Sequence, residues 1–93
     1  MKSIRDIISL KPVTIEMDGA EIVLRRPSAL DMVDAIAFLR DQPDRMFAWF
    51  VFRHVVVDGA PAFSSIDEVL ASDGFVVARI GKEIEKLYGE GRD

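Results

Sequence analysis

The residues that could carry chemistry in this chain are few, and the first is its only histidine, His54. A general base or a metal ligand needs a carboxylate or a second histidine on the same helical face. Within one helical turn His54 has Phe50, Val51 and Val57, and the only acid there is Asp58. Asp58 could orient the imidazole, so this pair is the one enzyme hypothesis worth testing. We expect instead a core or interface histidine in a protein that is not an enzyme.

Two further pairs of acids lie at spacings that place carboxylates on one side of a helix. Asp31 and Asp34 are three residues apart, which could present both to a metal ion. They also follow Ser28 at a predicted helix start, where carboxylates interact with the positive end of the helix dipole. We interpret them as dipole partners on a solvated face, and Asp67 with Glu68 in the same way. No metal site and no cofactor is expected.

Composition excludes several other functional classes. The chain has no cysteine, which excludes disulfides, thiolate zinc sites and a thiol nucleophile. It contains no glycine-rich phosphate loop and no Gly-x-Ser-x-Gly motif, and Asp58-Gly59 lacks the repeated acids of a calcium loop. The net charge of -4, without a basic cluster, disfavours nucleic acid as a partner. A helix-turn-helix is rejected because its second helix would offer Phe, Trp and Val to base edges.

A β-hairpin over about 13–26 is the clearest predicted element. Apolar and polar residues alternate from Val13 to Met17, and Asp18-Gly19 supplies the positive φ angles of a two-residue turn. That turn fixes the register of the two strands. It pairs Met17 with Ala20, Ile15 with Ile22 and Val13 with Leu24 on one face, and Glu16 with Glu21 on the other. The hairpin edges are predicted to be open, and its apolar face must pack on helices.

Four helices are predicted after the hairpin, over about 28–41, 44–57, 65–72 and 74–88. Ser28 opens the first, Asp44 is predicted to cap the second, Ser64 or Ser65 starts the third, and Gly89 ends the last. At the N-terminus, Ser3 with Asp6 resembles a cap, and Ile4, Ile7 and Ile8 fit one or two helical turns. The predicted fold is therefore α+β, a single domain (1–93) in which an N-terminal hairpin packs on three to four helices.

The segment 46–57 is the most apolar in the chain, with only Arg53 and His54 polar. Its aromatic side chains point in many directions and leave no wide polar face, so either the core or a partner must cover them. Both interpretations stay open at this point. The candidate partner-binding residues are Trp49, Phe52, Phe63 and Phe75.

Targeting signals are not evident. The N-terminal apolar run is too short for a signal peptide. The central apolar run is also shorter than the roughly 20 residues that span a bilayer. A cytoplasmic protein without a membrane partner is expected.

The order of these parts resembles a known family. A hairpin turning at Asp18-Gly19 is followed by Arg-Arg-Pro-Ser (25–28) opening a helix, and an apolar helix runs into Val-Val-Asp-Gly-x-Pro-x-Phe (56–63). Ser-Ile-Asp-Glu then starts an acidic helix, and the last helix ends in Leu-Tyr-Gly. Together they look like the tail assembly chaperones of long-tailed bacteriophages and prophages.

The resemblance implies a small protein of the host bacterial cytoplasm that is absent from the mature virion. It would bind the tape measure protein and keep it soluble during tail assembly, and it would self-associate as a homo-oligomer. A longer product of a programmed frameshift would recruit the tail tube protein, because residues 90–93 offer no obvious segment for that purpose. The alternative is a small phage-encoded regulatory or inhibitor domain without catalytic activity, dimerising through the hairpin edge.

Overall fold

The computed structural model describes residues 2–8 and 11–89. The predicted polar tail, residues 90–93, lies outside the described residues. The elements, in chain order, are α1 (Ile4–Ile7), β1 (Val13–Met17), β2 (Ala20–Leu24), α2 (Ala29–Asp41), a 3₁₀ turn (Pro43–Arg45), α3 (Met46–His54), β3 (Val55–Val57), β4 (Ala60–Pro61), α4 (Ile66–Leu70) and α5 (Gly74–Gly89). This mixture of helices with an antiparallel sheet confirms the α+β class.

The N-terminal hairpin has the predicted register. Asp18 and Gly19 both have positive φ, 53° and 82°, as a two-residue turn of this hand requires. All predicted pairs are observed, including Glu16 opposite Glu21. The apolar face of the hairpin contributes Met17 and Leu24 to the buried core.

A second hairpin replaces the end of the predicted central helix. The helix predicted over 44–57 begins at Met46 and ends at His54, and Val55–Val57 form β3 instead. Three consecutive β-branched residues favour extended backbone, and Asp58-Gly59 repeats the turn of the first hairpin with φ of 52° and 81°. Since β3 pairs with β2, the sheet has four strands in the order β1-β2-β3-β4. The prediction that both hairpin edges are open is therefore wrong for β2, whereas β1 is an outer strand of the sheet within the described residues.

The predicted cap of the central helix is also wrong. Asp44 lies inside the 3₁₀ turn, and Arg45 is the residue before α3, where it makes no side-chain capping bond. The predicted caps of α2 and α4 are confirmed. The Ser28 hydroxyl accepts a hydrogen bond from the Asp31 N–H, and the Ser65 hydroxyl accepts one from the Glu68 N–H. The predicted helices 28–41, 65–72 and 74–88 agree with α2, α4 and α5 to within two residues.

The core lies where α3 crosses α5, with the sheet and α4 alongside. The two helices pack tightly at Gly81 of α5, where a Cβ would lie only 2.7 Å from Phe47 Cβ. The apolar residues buried here include Trp49, Phe50, Val51, Ile80, Ile84 and Leu87. Among the helices of residues 2–8 and 11–89, none is both long and apolar enough to cross a membrane.

Candidate functional site

The outward side of α2 is an uncovered apolar surface. Its four large apolar residues, Leu30, Met32, Val33 and Ile36, are 64%, 43%, 63% and 71% exposed. We call these four residues the α2 face. Monomeric proteins rarely leave a contiguous patch of this kind open unless it binds something. The α2 face is therefore the first candidate interaction surface.

A groove continues the α2 face toward α5. Its apolar lining consists of Met32, Ala35, Ile36 and Leu39 from α2 with Met46 and Phe50 from α3. On the other side, α5 closes it with Glu85, Tyr88 and Gly89, and the cavity has a volume of about 580 Å³. We call this the α2 groove. A mostly apolar groove between helices is the kind of site that binds the apolar side of a partner helix.

A buried carboxylate fixes α2 in place from its inner side. Asp31 is 1% exposed and accepts two hydrogen bonds from the Arg25 guanidinium, at 2.6 and 3.0 Å. The Nε of Arg53 donates to the same carboxylate at 2.6 Å, and the Ser28 N–H donates at 2.8 Å. Arg53 also bonds Asp34 and lies over the Trp49 ring. The network joins the end of β2, the start of α2 and the end of α3.

The prediction that Asp31 lies on a solvated face is thus wrong. Burial alone would raise the pKa of Asp31. The hydrogen bonds from Arg25, Ser28 and Arg53 outweigh that effect and hold the pKa well below its ordinary value. Burial would likewise lower the pKa of Arg53, but its bonds to Asp31 and Asp34 raise it. The Asp31 carboxylate and the Arg53 guanidinium therefore stay charged. Every buried side-chain polar atom of the described chain has a partner.

His54 lies fully buried beside this network. Its Nδ1 is 2.7 Å from the Arg25 carbonyl oxygen and its Nε2 is 2.6 Å from the Tyr88 hydroxyl. A carbonyl can only accept, so Nδ1 carries the proton and the Tyr88 hydroxyl donates to Nε2. Burial lowers the pKa of His54 and raises that of Tyr88. The structure does not bring His54 and Asp58 together, because Asp58 lies exposed in the β3–β4 turn.

The four residues predicted to bind a partner lie in different places. Trp49 is 6% exposed and packs in the core, where its ring stacks on Phe38 with centroids 5.5 Å apart. Phe52 and Phe63 are half-buried and line a separate depression of about 570 Å³. Phe75 is 86% exposed in the first turn of α5. The structure therefore brings Phe52 and Phe63 together and separates Trp49 from solvent.

Sequence reasoning did not select the α2 face as a site. The signal was present, because the polar residues of α2 are only Asp31, Asp34, Arg40 and Asp41. A helix that is apolar on nearly all sides must be buried or must bind a partner. The inner side uses Ala35, Phe38 and Leu39 for the core, which leaves the outer side uncovered.

Within residues 2–8 and 11–89, no group of three or more His, Cys, Asp and Glu side chains could hold a metal ion. Comparison with protein-family models, with curated proteins and with solved structures found no significant match to the chain.

Proposed function

We propose that this chain is a phage or prophage tail assembly chaperone that binds the tape measure protein through the α2 face and the α2 groove. The observation that carries the proposal is the exposed α2 face, with four large apolar side chains beside an apolar groove. The sequence resemblance supplies the identity of the client. The proposed role is binding without catalysis, acting in the host cytoplasm.

The physical requirements of such a role agree with this surface. A tape measure protein is a long helix with apolar stripes, which aggregates unless those stripes are covered. The α2 groove offers an apolar floor to one turn or two of such a helix, and the α2 face extends that contact along the chaperone. The net charge of -4 keeps the covered client soluble. Recruitment of the tail tube protein would belong to a longer product.

Anchoring of α2 supports the same role. A docking helix must keep its position while its outer side exchanges water for a client. Asp31, Arg25 and Arg53 hold the inner side of α2 by charge-assisted hydrogen bonds of 2.6 to 3.0 Å. The surface is therefore preorganised, which reduces the entropy lost on binding.

Co-expression with the tape measure protein of the same phage or prophage tests the proposal. We expect a soluble complex with many copies of this chain for each client, measured by light scattering after pull-down. Val33→Asp should leave the client insoluble, because it places a charge on the α2 face. Val57→Asp is the matched control, since Val57 is 60% exposed against 63% for Val33 and lies in β3. A client that precipitates with the wild-type chain would contradict the proposal.

The open edge of β1 favours one alternative. β1 is an outer strand of the sheet, so its free backbone groups could pair with a second copy. A regulatory or inhibitor domain that dimerises there would bind no tape measure protein. Its dimer would survive Val33→Asp but dissociate when Thr14→Pro removes a backbone donor and distorts the edge. Phe75→Asp tests the most exposed of the four predicted contacts, and reduced client binding would extend the surface to α5.

A further inference from the structure

A second uncovered apolar surface lies at the other end of the chain. In α1 and its C-cap, Ile4, Ile7 and Ile8 are 68%, 69% and 64% exposed. Their spacing places them on one side of the helical turn, and we call them the α1 stripe. The turn itself is set by a capping box, in which the Ser3 N–H donates to the Asp6 carboxylate at 2.9 Å.

A helix of four residues does not persist by its own hydrogen bonds. Isolated helices shorter than about 12 residues are marginal in water, and most helical stability in proteins comes from packing. No residue of α1 is buried in its own chain. Packing against an apolar surface would therefore stabilise the α1 stripe. Within its own chain, the α1 stripe does not cover the α2 groove.

We propose that the α2 groove of one copy binds the α1 stripe of a second copy. The chemistry of the two surfaces matches, because three isoleucines would meet a lining of Met, Ile, Leu and Phe side chains. The two surfaces also carry opposite charges. Next to the α1 stripe, the cations Lys2 and Arg5 outnumber the one acid, Asp6, whereas the charged residue that lines the groove is Glu85. Within the described residues, Lys2, Arg5 and Glu85 make no ion pair.

Two different surfaces meet in such a contact, so the interface is heterologous. Copies can then exchange segments reciprocally or continue as an open chain, and both assemblies exceed the mass of one chain. The interface is small, so association is weak and depends on concentration. Because client and α1 stripe would share the α2 groove, self-association would cover the groove until a client displaces it. That last consequence rests on the proposed function, whereas the contact itself does not.

Sedimentation equilibrium of the purified full chain, without any client, tests the contact separately from client binding. We expect the average mass of the wild-type chain to rise above one chain as the concentration approaches about 1 mM. Ile7→Asp and Ile36→Asp should each restore the mass of one chain while keeping the circular dichroism of the fold, since both side chains are about 70% exposed. Val57→Asp should behave as the wild type.

Mixing the two variants distinguishes this contact from a symmetric one. Ile7→Asp keeps an intact groove, and Ile36→Asp keeps an intact α1 stripe. A mixture should therefore form complexes of one chain of each, although neither variant associates alone. A wild-type chain that stays monomeric would overturn the proposal. So would association that survives Ile7→Asp, or a mixture that forms no complex.

Discussion

Arg53 of α3 donates a 2.6 Å hydrogen bond from its Nε to Oδ1 of Asp31 on α2. The Asp31 carboxylate is almost completely buried and also accepts hydrogen bonds from Arg25, so one carboxylate is shared between two guanidinium groups. This contact ties the start of α2 to the end of α3. It explains how a helix with an exposed apolar outer side keeps its position in a small protein.

Replacing Asp31 should be far more harmful than replacing its neighbour Asp34. Asp31→Asn leaves two guanidinium groups without their buried counter-ion, which typically costs about 3 to 5 kcal/mol in the free energy of unfolding. Asp34→Asn is the control, because the Asp34 side chain is 39% exposed and such pairs contribute less than about 1 kcal/mol. Urea unfolding followed by the fluorescence of Trp49 measures both. Equal losses would show that the network does not anchor α2.

Acid should weaken the fold in two separate ranges. Burial lowers the pKa of His54 below its ordinary 6.5, so the unfolded chain takes up a proton there before the folded chain does. The contribution of neutral His54 to the free energy of unfolding is fully present above about pH 6.5. It falls, by up to about 1.4 kcal/mol per pH unit, as the pH drops toward the pKa of His54 in the folded chain. Asp31, whose pKa is lowered from 3.8, adds a second loss below about pH 4.

The first of these ranges can be assigned to His54 by substitution. His54→Asn keeps a donor for the Arg25 carbonyl but does not titrate. We expect it to be less stable at neutral pH and to show a flatter stability profile between about pH 5 and 7. Thermal unfolding across this range measures the slope. A profile as steep as that of the wild type would assign the loss to another group.

Gly81 is expected to be intolerant of even a methyl group. A Cβ at this position would lie 2.7 to 2.9 Å from three atoms of Phe47, so α3 and α5 would have to separate. Gly81→Ala should cost about 1 to 3 kcal/mol through overpacking, despite the better helix propensity of alanine. Gly74→Ala is the control, because nothing lies within 4 Å of its Cβ position. Urea midpoints compare the two, and an unchanged midpoint for Gly81→Ala would contradict this packing.

Trp49→Asp should unfold the chain. The indole is 6% exposed between Phe38 and Phe50, so an aspartate there would bury a charge and remove a large part of the core. Trp49→Phe should fold with a loss of about 1 to 3 kcal/mol. Circular dichroism measures both outcomes. A folded Trp49→Asp protein that fails only in binding would place this residue at an interface instead.

The hairpin was predictable because its two-residue turn determines the register of the two strands. Asp18-Gly19 allows a two-residue loop, and with that loop the pairing of five residue pairs follows. The second hairpin carries the same dipeptide at Asp58-Gly59. It was missed because Val55–Val57 continue an apolar run without any change of period, so only their β-branched side chains distinguish strand from helix.

Burial of charge was less predictable than local structure. Ser28 and Asp31 form a capping box whether that side of the helix is exposed or buried. The sequence pattern therefore cannot reveal that Arg25 and Arg53 converge there from β2 and α3. The same limit applies to the candidate site. The sequence of α2 is apolar, but which side of the helix faces the core depends on where α3 and α5 lie.

The affinity of the tape measure protein for the matched pair Val33→Asp and Val57→Asp tests the central claim most directly. A helical segment of the client, titrated by calorimetry, should bind Val57→Asp as it binds the wild type. Val33→Asp should bind at least about ten-fold more weakly, a loss of about 1.4 kcal/mol or more. Equal affinities of the two variants would show that the α2 face is not the binding surface.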